Sequence, residues 1–265
     1  KLFKMCKTGF VNIDDLQGNK IPAMFPDSDI TGYGIDNFGN FLAKDITITN
    51  SYVDFKVKIT DRNERVKTCI PGRFSVYNSL ASICIAQKYG VDPEIIKQAL
   101  VEVRVPGRSE MVDNKLELPI MVDYAHTPES LQNILSAVKI YTRGRVISVF
   151  GCGGNRAKSR RYEMGEVSSK LADLTVVTSD NPRNEEPMDI INDILVGVHK
   201  ANGEYVTIPD RKEAIAYCMK NAQDGDIVVL AGKGHEDYQE IRGVKHHMDE
   251  RELVADVVKD GNFLQ

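Results

Sequence analysis

The 265-residue sequence lacks the long apolar runs and the cysteine patterns that mark several protein classes. No apolar stretch approaches the roughly 18 residues that a membrane-spanning helix requires. The basic start of the chain is followed by neither an apolar segment nor a small-residue cleavage site, so no secretory signal is predicted. The five cysteines are odd in number and form no C-x-x-C pair, which excludes an obvious zinc site or disulfide framework. We therefore expect a reduced, cytoplasmic chain with buried thiols.

An excess of positive charge is also missing. The net charge is −4, which argues against a nucleic-acid-binding face or a role at a membrane surface. With 42% hydrophobic and 27% charged residues, the composition is typical of a globular protein of one large or two ordinary domains. We expect a monomer whose partners are small molecules.

Two sequence patterns follow one another along the chain. Residues 8–70 are rich in short β patterns, and the spacing of apolar residues predicts helices over 75–88 and 92–102. Pro106 and Gly107 then indicate a boundary between domains. Beyond it, five apolar runs alternate with amphipathic segments, which predicts helices over 128–142, 159–172, 187–200, 211–222 and 249–259. The prediction is an α/β chain: a mixed α/β part over 1–106, then a doubly wound, mostly parallel, Rossmann-like sheet over 107–265.

Polar loops follow four of the five apolar runs. Ligands bind at the carboxyl ends of the strands in open α/β sheets, so these loops are the candidate site. Their sequences are DYAH (123–126), GCGGNR (151–156), SDNPR (179–183) and AGKGHE (231–236).

The glycine-rich loop after the second run departs from the dinucleotide fingerprint G-x-G-x-x-G. Arg156 stands where the third glycine belongs, which argues against an NAD-dependent oxidoreductase. Its glycines would offer backbone N–H groups to an anion, and four cations add positive charge: Arg156, Lys158, Arg160 and Arg161. The structural alternative is a tight turn before a solvated basic helix. No G-x-x-x-x-G-K-[ST] phosphate loop occurs in the 265 residues.

The first of these loops offers a carboxylate and an imidazole. Asp123 suits a pair of ribose hydroxyls, and His126 could reach a phosphate. A loop-ordering carboxylate and an ordinary surface histidine explain these residues equally well, so the sequence leaves both interpretations open.

The third loop predicts a rigid arginine. Pro182 fixes the turn before Arg183, and acidic or amide side chains surround this cation in the sequence: Asp180, Asn181, Glu185 and Glu186. Glu236 could accept hydrogen bonds from an ammonium, while Gly232 permits close approach of the backbone to a ligand. Cations at Arg156 and Arg183 with an anion at Glu236 fit a zwitterionic amino acid better than a nucleotide.

These motifs resemble those of the Mur ligase family, in particular the ligases that add 2,6-diaminopimelate. The matching strings recur in order across most of the chain: GRFSVYNSLA (72–81), PGRSEMV (106–112), DYAHTPESL (123–131), FGCGGNRAKSRR (150–161), SDNPRNEEP (179–187) and AGKGHEDYQ (231–239). The resemblance implies an ATP- and Mg²⁺-dependent ligase of peptidoglycan precursor synthesis. It joins diaminopimelate to UDP-MurNAc-L-Ala-D-Glu through an acyl phosphate. Residues 1–106 would be part of the central ATP-binding domain and 107–265 the amino-acid-binding C-terminal domain.

The resemblance also assigns roles to individual residues. The nucleotide-binding positions are Asn78, Arg108, Asp123 and His126. The diaminopimelate-binding positions are Arg156, Asp180, Asn181, Pro182, Arg183, Gly232 and Glu236. Relatives that add lysine carry a smaller residue in place of Arg183. The arginine therefore indicates diaminopimelate, because lysine lacks the second carboxylate that a guanidinium would bind.

The family's phosphate loop, metal ligands and carbamylated lysine have no counterpart in these residues, so we assign no catalytic residue and no metal ligand. We expect a truncated ligase that does not release ADP by itself. Two alternatives stay open: a ligase of the same type that adds lysine, and a non-catalytic module that binds an amino acid or a cell-wall precursor.

Overall fold

The computed structural model of the chain describes residues 2–37 and 39–260. The chain divides into two compact units, residues 1–104 and 105–265. Each is described by itself below. The domain limits 1–106 and 107–265 stay a prediction, and their outer ends lie outside the described residues.

Over residues 2–37 and 39–104, the first unit has six strands and three α-helices, as well as short 3₁₀ turns at Leu2–Lys4 and Gly18–Lys20. The strands are β1 (Thr8–Asn12), β2 (Asp29–Gly34), β3 (Phe41–Leu42), β4 (Lys44–Ile48), β5 (Val53–Ile59) and β6 (Arg62–Thr68). The helices are α1 (Ile21–Met24), α2 (Arg73–Lys88) and α3 (Pro93–Glu102). Strands β1–β3 form a parallel sheet and β4–β6 an antiparallel one.

Alternation of side chains along β5 creates the core of this unit. Every second residue of the strand is buried, beginning with Val53 and Phe55, because successive side chains of a strand point to opposite faces. They join Leu80 and Ile83 of α2 in one apolar cluster. The predicted helices over 75–88 and 92–102 are confirmed, and the Asp92 carboxylate caps α3 by accepting the N–H of Glu94 at 2.8 Å.

The second unit has eight strands and five helices between residues 105 and 260, the part of it that the structure describes. Its strands are β7 (Glu110–Met111), β8 (Ile120–Asp123), β9 (Val146–Phe150), β10 (Leu174–Val177), β11 (Tyr205–Thr207), β12 (Ile227–Ala231), β13 (Tyr238–Ile241) and β14 (Val244–His247). Its helices are α4 (Pro128–Lys139), α5 (Lys158–Leu171), α6 (Pro187–Ala201), α7 (Arg211–Asn221) and α8 (Glu250–Lys259). The five predicted helices and five predicted strands of this part are all present.

The main sheet of the second unit has the order β11-β10-β9-β12-β8-β7. All neighbours are parallel except β7, which pairs antiparallel with β8 at the edge. Strands β8, β9, β10 and β12 are buried at every position, as their continuous apolar sequences predict. The α/β fold with a doubly wound, mostly parallel sheet is therefore confirmed. The chain reverses direction across the sheet between β9 and β12, where such folds bind ligands.

A two-stranded hairpin of β13 and β14 was not predicted from the sequence. Its loop is Arg242-Gly243, both residues with positive φ (49° and 78°), the conformation of a tight two-residue turn. The ten residues YQEIRGVKHH carry too many charged and polar side chains to show the alternation of a half-buried strand. The Arg242-Gly243 pair was the one local feature of these ten residues that could have indicated the hairpin turn.

Neither unit contains, among its described residues, a helix of the length and hydrophobicity needed to cross a bilayer. All five cysteines are free, and three of them are buried: Cys84, Cys152 and Cys218. Burial raises the pKa of each of these three thiols to about 12, so they are packed as neutral groups.

Candidate functional site

A cleft of about 120 Å³ lies at the carboxyl ends of β8, β9, β10 and β12. It is lined by the four loops that the sequence predicted. The cleft brings together seven of the predicted site residues: His126, Arg156, Asp180, Asn181, Arg183, Gly232 and Glu236. The other predicted residues do not line it: Asn78, Arg108, Asp123 and Pro182.

The loop 180–183, called the DNPR loop here, is held by hydrogen bonds to residues 233, 239 and 240. Asp180 and Asn181 are buried, and the Asn181 Oδ1 atom accepts from Lys233 Nζ at 2.9 Å and from the Glu240 N–H at 2.8 Å. The Gln239 side chain donates to the Asp180 carbonyl at 2.8 Å. The side-chain amide of Asn181 therefore orients Lys233 and the backbone of Glu240.

Gly232 is required by the approach of this loop. It has φ = 113°, and a Cβ there would lie 2.8 Å from the Asp180 carboxylate. The sequence predicted that this glycine permits close approach of a ligand. In the structure, the group that approaches it closely is the Asp180 carboxylate.

Arg183 is fixed by the hairpin. Its backbone has φ = 53°, its N–H donates to the Glu240 carbonyl at 3.0 Å, and its Nε donates to the Glu240 carboxylate at 3.1 Å. A second donor, Nη1, lies 2.8 Å from the Gly154 carbonyl. The guanidinium lines the cleft with a side-chain exposure of 25%.

The acidic residues next to Arg183 in the sequence do not pair with it in the structure. Glu185 pairs with Arg161, Glu186 pairs with Arg242, and the carboxylate on Arg183 comes from Glu240, 57 residues along the chain.

The expectation that the whole basic turn awaits an anion was wrong. Arg161 is buried and binds the Glu185 carboxylate through two hydrogen bonds of 2.8 Å, with Asp193 at 2.9 Å. Lys158 pairs with Asp193 as well, at 3.1 Å. The Arg161 hydrogen bonds lower the pKa of Glu185 to about 2. These cations are therefore neutralised within the protein.

Only Arg156 and Arg160 of that turn line the cleft without a carboxylate of the described chain within salt-bridge distance. Both cations line the cleft together with Arg183. A Cβ at Gly153 would lie 2.7 Å from Arg183 Nη1 and 3.8 Å from Arg156 Cγ. The two arginines that the sequence singled out thus lie side by side at Gly153.

The glycine loop itself packs against the DNPR loop. The Gly154 N–H donates to the Asn181 carbonyl at 2.8 Å, and a Cβ on Gly154 would overlap the Pro182 carbonyl oxygen. This N–H is therefore used inside the protein, contrary to the expectation that it points at an anion.

Glu236 lines the same cleft as the two arginines. Its Oε2 accepts from Asn181 Nδ2 at 2.9 Å and from Lys233 Nζ at 3.0 Å, whereas Oε1 has a long contact of 3.4 Å with the Tyr124 hydroxyl. Burial acts to raise the pKa of Glu236, but the hydrogen bonds from Lys233 and Asn181 outweigh it and leave the pKa lowered. The lowered pKa means that the carboxylate is ionised at neutral pH. Its Oε1 atom has only the long Tyr124 contact and can accept a further hydrogen bond.

Two buried cations were missed by the sequence reasoning. Lys233 is fully buried beside Glu236, although it stands within the GKGHE motif that singled out its neighbours. Arg211 pairs with the buried Glu250 at 2.8 Å and donates to the carbonyls of Ser179 and Ala231 at 3.0 and 2.9 Å. It therefore ties together the ends of β10 and β12, from which two loops of the cleft begin.

The predicted nucleotide-binding residues lie in different surroundings. Asp123 is buried, which raises its pKa, and its Oδ2 accepts the Ser109 N–H at 2.8 Å. The Arg108 guanidinium lies over the Tyr124 ring at 4.7 Å. Asn78 is exposed on α2 of the first unit. Their roles toward a nucleotide stay predictions.

The His126 ring packs on Tyr124, with 4.6 Å between ring centroids, and its Nδ1 lies 2.8 Å from the Tyr124 carbonyl oxygen. Since a carbonyl can only accept, Nδ1 carries the proton and Nε2 is an acceptor in the neutral ring.

Comparison with known protein families agrees with this arrangement. Residues 1–86 match the Mur ligase middle domain, and residues 107–234 match the glutamate ligase domain of Mur ligases. The two matches follow each other in one chain and cover both units. The chain belongs to the Mur ligase family.

Curated Mur ligases of one type are similar to nearly the whole chain. A UDP-N-acetylmuramoyl-L-alanyl-D-glutamate–2,6-diaminopimelate ligase of Caldanaerobacter subterraneus subsp. tengcongensis is 46% identical over 264 residues, which is 98% of this chain and 54% of that protein. A ligase of the same name from Clostridium acetobutylicum is 42% identical over 262 residues, again 98% and 54%. The chain thus spans about half the length of the curated relatives it matches.

Solved structures of Mur ligases share the fold. A UDP-N-acetylmuramoyl-L-alanyl-D-glutamate–2,6-diaminopimelate ligase superposes with a TM-score of 0.65 at 32% identity, covering 96% of this chain and 53% of that one. A pseudomurein peptide ligase type C from Methanothermus fervidus gives a TM-score of 0.71 at 17% identity, covering 98% and 57%. The latter likeness shows the fold alone.

Proposed function

We propose that this chain is part of an ATP-dependent ligase that adds 2,6-diaminopimelate to UDP-MurNAc-L-Ala-D-Glu in peptidoglycan precursor synthesis. The second unit would bind diaminopimelate, and the first would contribute to nucleotide binding. The proposal is supported by the similarity to ligases of that name over 98% of this chain. It is also supported by the charges of the cleft.

The observation that carries the proposal is that Arg156, Arg183 and the ionised Glu236 line one cleft. Diaminopimelate has two carboxylates and two amines. A guanidinium binds a carboxylate through two parallel hydrogen bonds, and the ionised Glu236 can accept from an ammonium through Oε1. Lysine would leave one guanidinium without a ligand partner.

The chemistry of the proposed reaction is acyl transfer. ATP converts the terminal carboxylate of the dipeptide into an acyl phosphate, and the amine of diaminopimelate attacks the acyl carbon and displaces phosphate. The residues of the cleft bind and orient the amino acid for this attack. Asn78, Arg108, Asp123 and His126 are proposed to contact the nucleotide.

Mg²⁺ is implied by the family, but the described residues do not fit a metal site. Between residues 2 and 260, Phe38 apart, no group of three or more His, Cys, Asp or Glu side chains is arranged to hold a metal. We therefore assign no step to a metal-binding residue of this chain. A monomeric state and a cytoplasmic location are part of the same proposal, as is a domain boundary at 106/107.

Isothermal titration calorimetry of the 265-residue chain with diaminopimelate, lysine and ADP tests the proposal. Diaminopimelate should bind more tightly than lysine. Arg183→Ala should weaken diaminopimelate binding by about 2 kcal/mol, roughly 30-fold, because truncation of one partner leaves the ligand carboxylate unpaired. The affinity for lysine should change little.

Arg242→Ala is the matched control, because that arginine sits two residues after Glu240 and pairs with the exposed Glu186. It should bind diaminopimelate like the wild type. Equal affinities of the wild type for diaminopimelate and lysine, or an unchanged affinity in Arg183→Ala, would contradict the proposal.

A further inference from the structure

We infer that Glu240 is a positioning residue for Arg183, which determines the N–H groups that the guanidinium presents to the second carboxylate of the amino acid. This inference rests on the proposed function. It concerns a residue outside the motifs that carry the family resemblance, which end at residue 239. Glu240 lies on β13 of the hairpin, in the element that the sequence did not predict.

The N–H groups of Arg183 can be accounted for one by one. A guanidinium has five donors: one on Nε and two on each Nη. Nε donates to the Glu240 carboxylate at 3.1 Å, and Nη1 donates to the Gly154 carbonyl at 2.8 Å. Three donors on Nη1 and Nη2 are left for a ligand. The Nε side of the fork is closed by Glu240.

The backbone of the same residues forms a second connection. Arg183 N–H donates to the Glu240 carbonyl at 3.0 Å, and Arg183 O accepts from the Arg242 N–H at 2.7 Å. The Glu240 N–H also donates to the Asn181 side chain at 2.8 Å. The hairpin therefore holds both the main chain and the side chain of Arg183. Pro182, which restricts only the backbone of the turn, could not fix the side chain by itself.

Fixing a long side chain before the ligand arrives reduces the entropy lost on binding. Arginine is among the side chains with the most rotamer freedom, and ordering one at a binding site opposes binding. The negative charge of Glu240 acts in the opposite direction, because it repels a second carboxylate on the same guanidinium. Orientation and charge must therefore be separated experimentally.

Two variants separate them. Glu240→Gln and Glu240→Ala both remove the charge, but only Gln retains an oxygen that can accept from Arg183 Nε. We expect the Ala variant to bind diaminopimelate about fivefold more weakly than the Gln variant, because Ala leaves the guanidinium unordered. The two variants should bind lysine equally, since lysine lacks the second carboxylate that Arg183 is proposed to bind. Calorimetry measures all four affinities.

A ligand-free measurement keeps this test separate from the proposed function. The ¹⁵Nε–H resonance of Arg183, assigned by its loss in Arg183→Lys, should exchange slowly with solvent in the wild type and Glu240→Gln. In Glu240→Ala it should exchange at least about tenfold faster. Exchange requires the Nε–H group to open to solvent, and in this variant the opening no longer breaks a charge-assisted hydrogen bond.

The outcomes are distinct. Faster exchange in Glu240→Ala than in the wild type, together with failure of the wild type to bind diaminopimelate, would retain the positioning role and overturn the proposed function. Equal Nε–H exchange in the wild type and Glu240→Ala would overturn the positioning role. So would equal diaminopimelate affinities of the Gln and Ala variants, provided that the wild type binds diaminopimelate.

Discussion

The ammonium of Lys233 lies 3.0 Å from the Glu236 carboxylate and has no solvent-exposed surface. The same Nζ atom lies 2.9 Å from Asn181 Oδ1, and Asn181 Nδ2 donates to Glu236 at 2.9 Å. These three side chains form a closed triangle of hydrogen bonds. Because a buried ammonium needs a counter-charge, Lys233 and Glu236 depend on each other.

Lys233→Met should lower the free energy of unfolding by about 3 kcal/mol at neutral pH, because it leaves the Glu236 carboxylate without its buried partner. The pKa of Glu236 is lowered in the folded protein. The pair therefore stabilises the fold above the unfolded-state pKa of glutamate, and this contribution is lost as the pH falls through the folded-state pKa. Urea denaturation of both proteins at several pH values measures the difference.

Lys245→Met is the control for that experiment. Its ammonium lies 3.8 Å from the centroid of the Tyr238 ring, which the Lys233 ammonium also approaches at 5.1 Å, but Lys245 is exposed. It should cost about 1 kcal/mol or less. If Lys233→Met were no more destabilising than Lys245→Met, the buried pair would contribute nothing to stability.

Arg161→Met should destabilise the protein by about 3 kcal/mol at pH 7, since Glu185 and Asp193 would both lose a buried guanidinium. Arg161 lowers the pKa of Glu185 from its ordinary value of 4.5 to about 2. The stabilisation is thus present above about pH 4.5 and lost as the pH falls toward 2. The difference between variant and wild type in urea denaturation should shrink over this window.

Arg160→Met changes the neighbouring cation, which is half-buried at the cleft and forms no salt bridge within the described chain. We expect a change within about 0.5 kcal/mol, independent of pH. A pH-dependent loss in Arg160→Met, or none in Arg161→Met, would refute the assignment of the ion pairs.

Gly154→Ala should destabilise the second unit by about 2 kcal/mol or more, because the new Cβ would overlap the Pro182 carbonyl oxygen. The displacement of the DNPR loop should weaken amino-acid binding as well. Thermal denaturation and calorimetry of the same sample measure both effects.

Gly90→Ala provides the comparison, since Gly90 has φ = 70° and no atom lies within 4 Å of the position that a Cβ would take there. Its cost should come from backbone conformation alone, about 1 kcal/mol, without an effect on amino-acid binding. Unchanged stability in Gly154→Ala would show that the two loops can separate without loss.

Much of the fold could be predicted because its signals are local. The Asp92 and Thr127 side chains cap the helices that begin directly after them, α3 and α4, and Thr127 accepts the Ser130 N–H at 3.2 Å. The apolar runs became the buried strands β8, β9, β10 and β12. The site residues at the strand ends follow from the topology of parallel sheets.

The partners of the charged residues could not be predicted from proximity in the sequence. Glu185 stands two residues after Arg183 but pairs with Arg161, and Glu240 reaches Arg183 across 57 residues. Ion pairs depend on distances in space, which only the packing of the hairpin and of α5 fixes.

The sequence by itself determined the α/β order of elements, the four loops of the cleft and the presence of Arg156, Arg183 and Glu236 in them. The spacing of apolar residues and the order of predicted strands are sufficient to place these elements and loops, because both can be obtained from the sequence of residues along the chain. The tertiary structure alone decided which charges are neutralised inside the protein and which line the cleft without an ion-pair partner among the described residues. Burial and separation in space determine that distinction, and neither can be read along the chain.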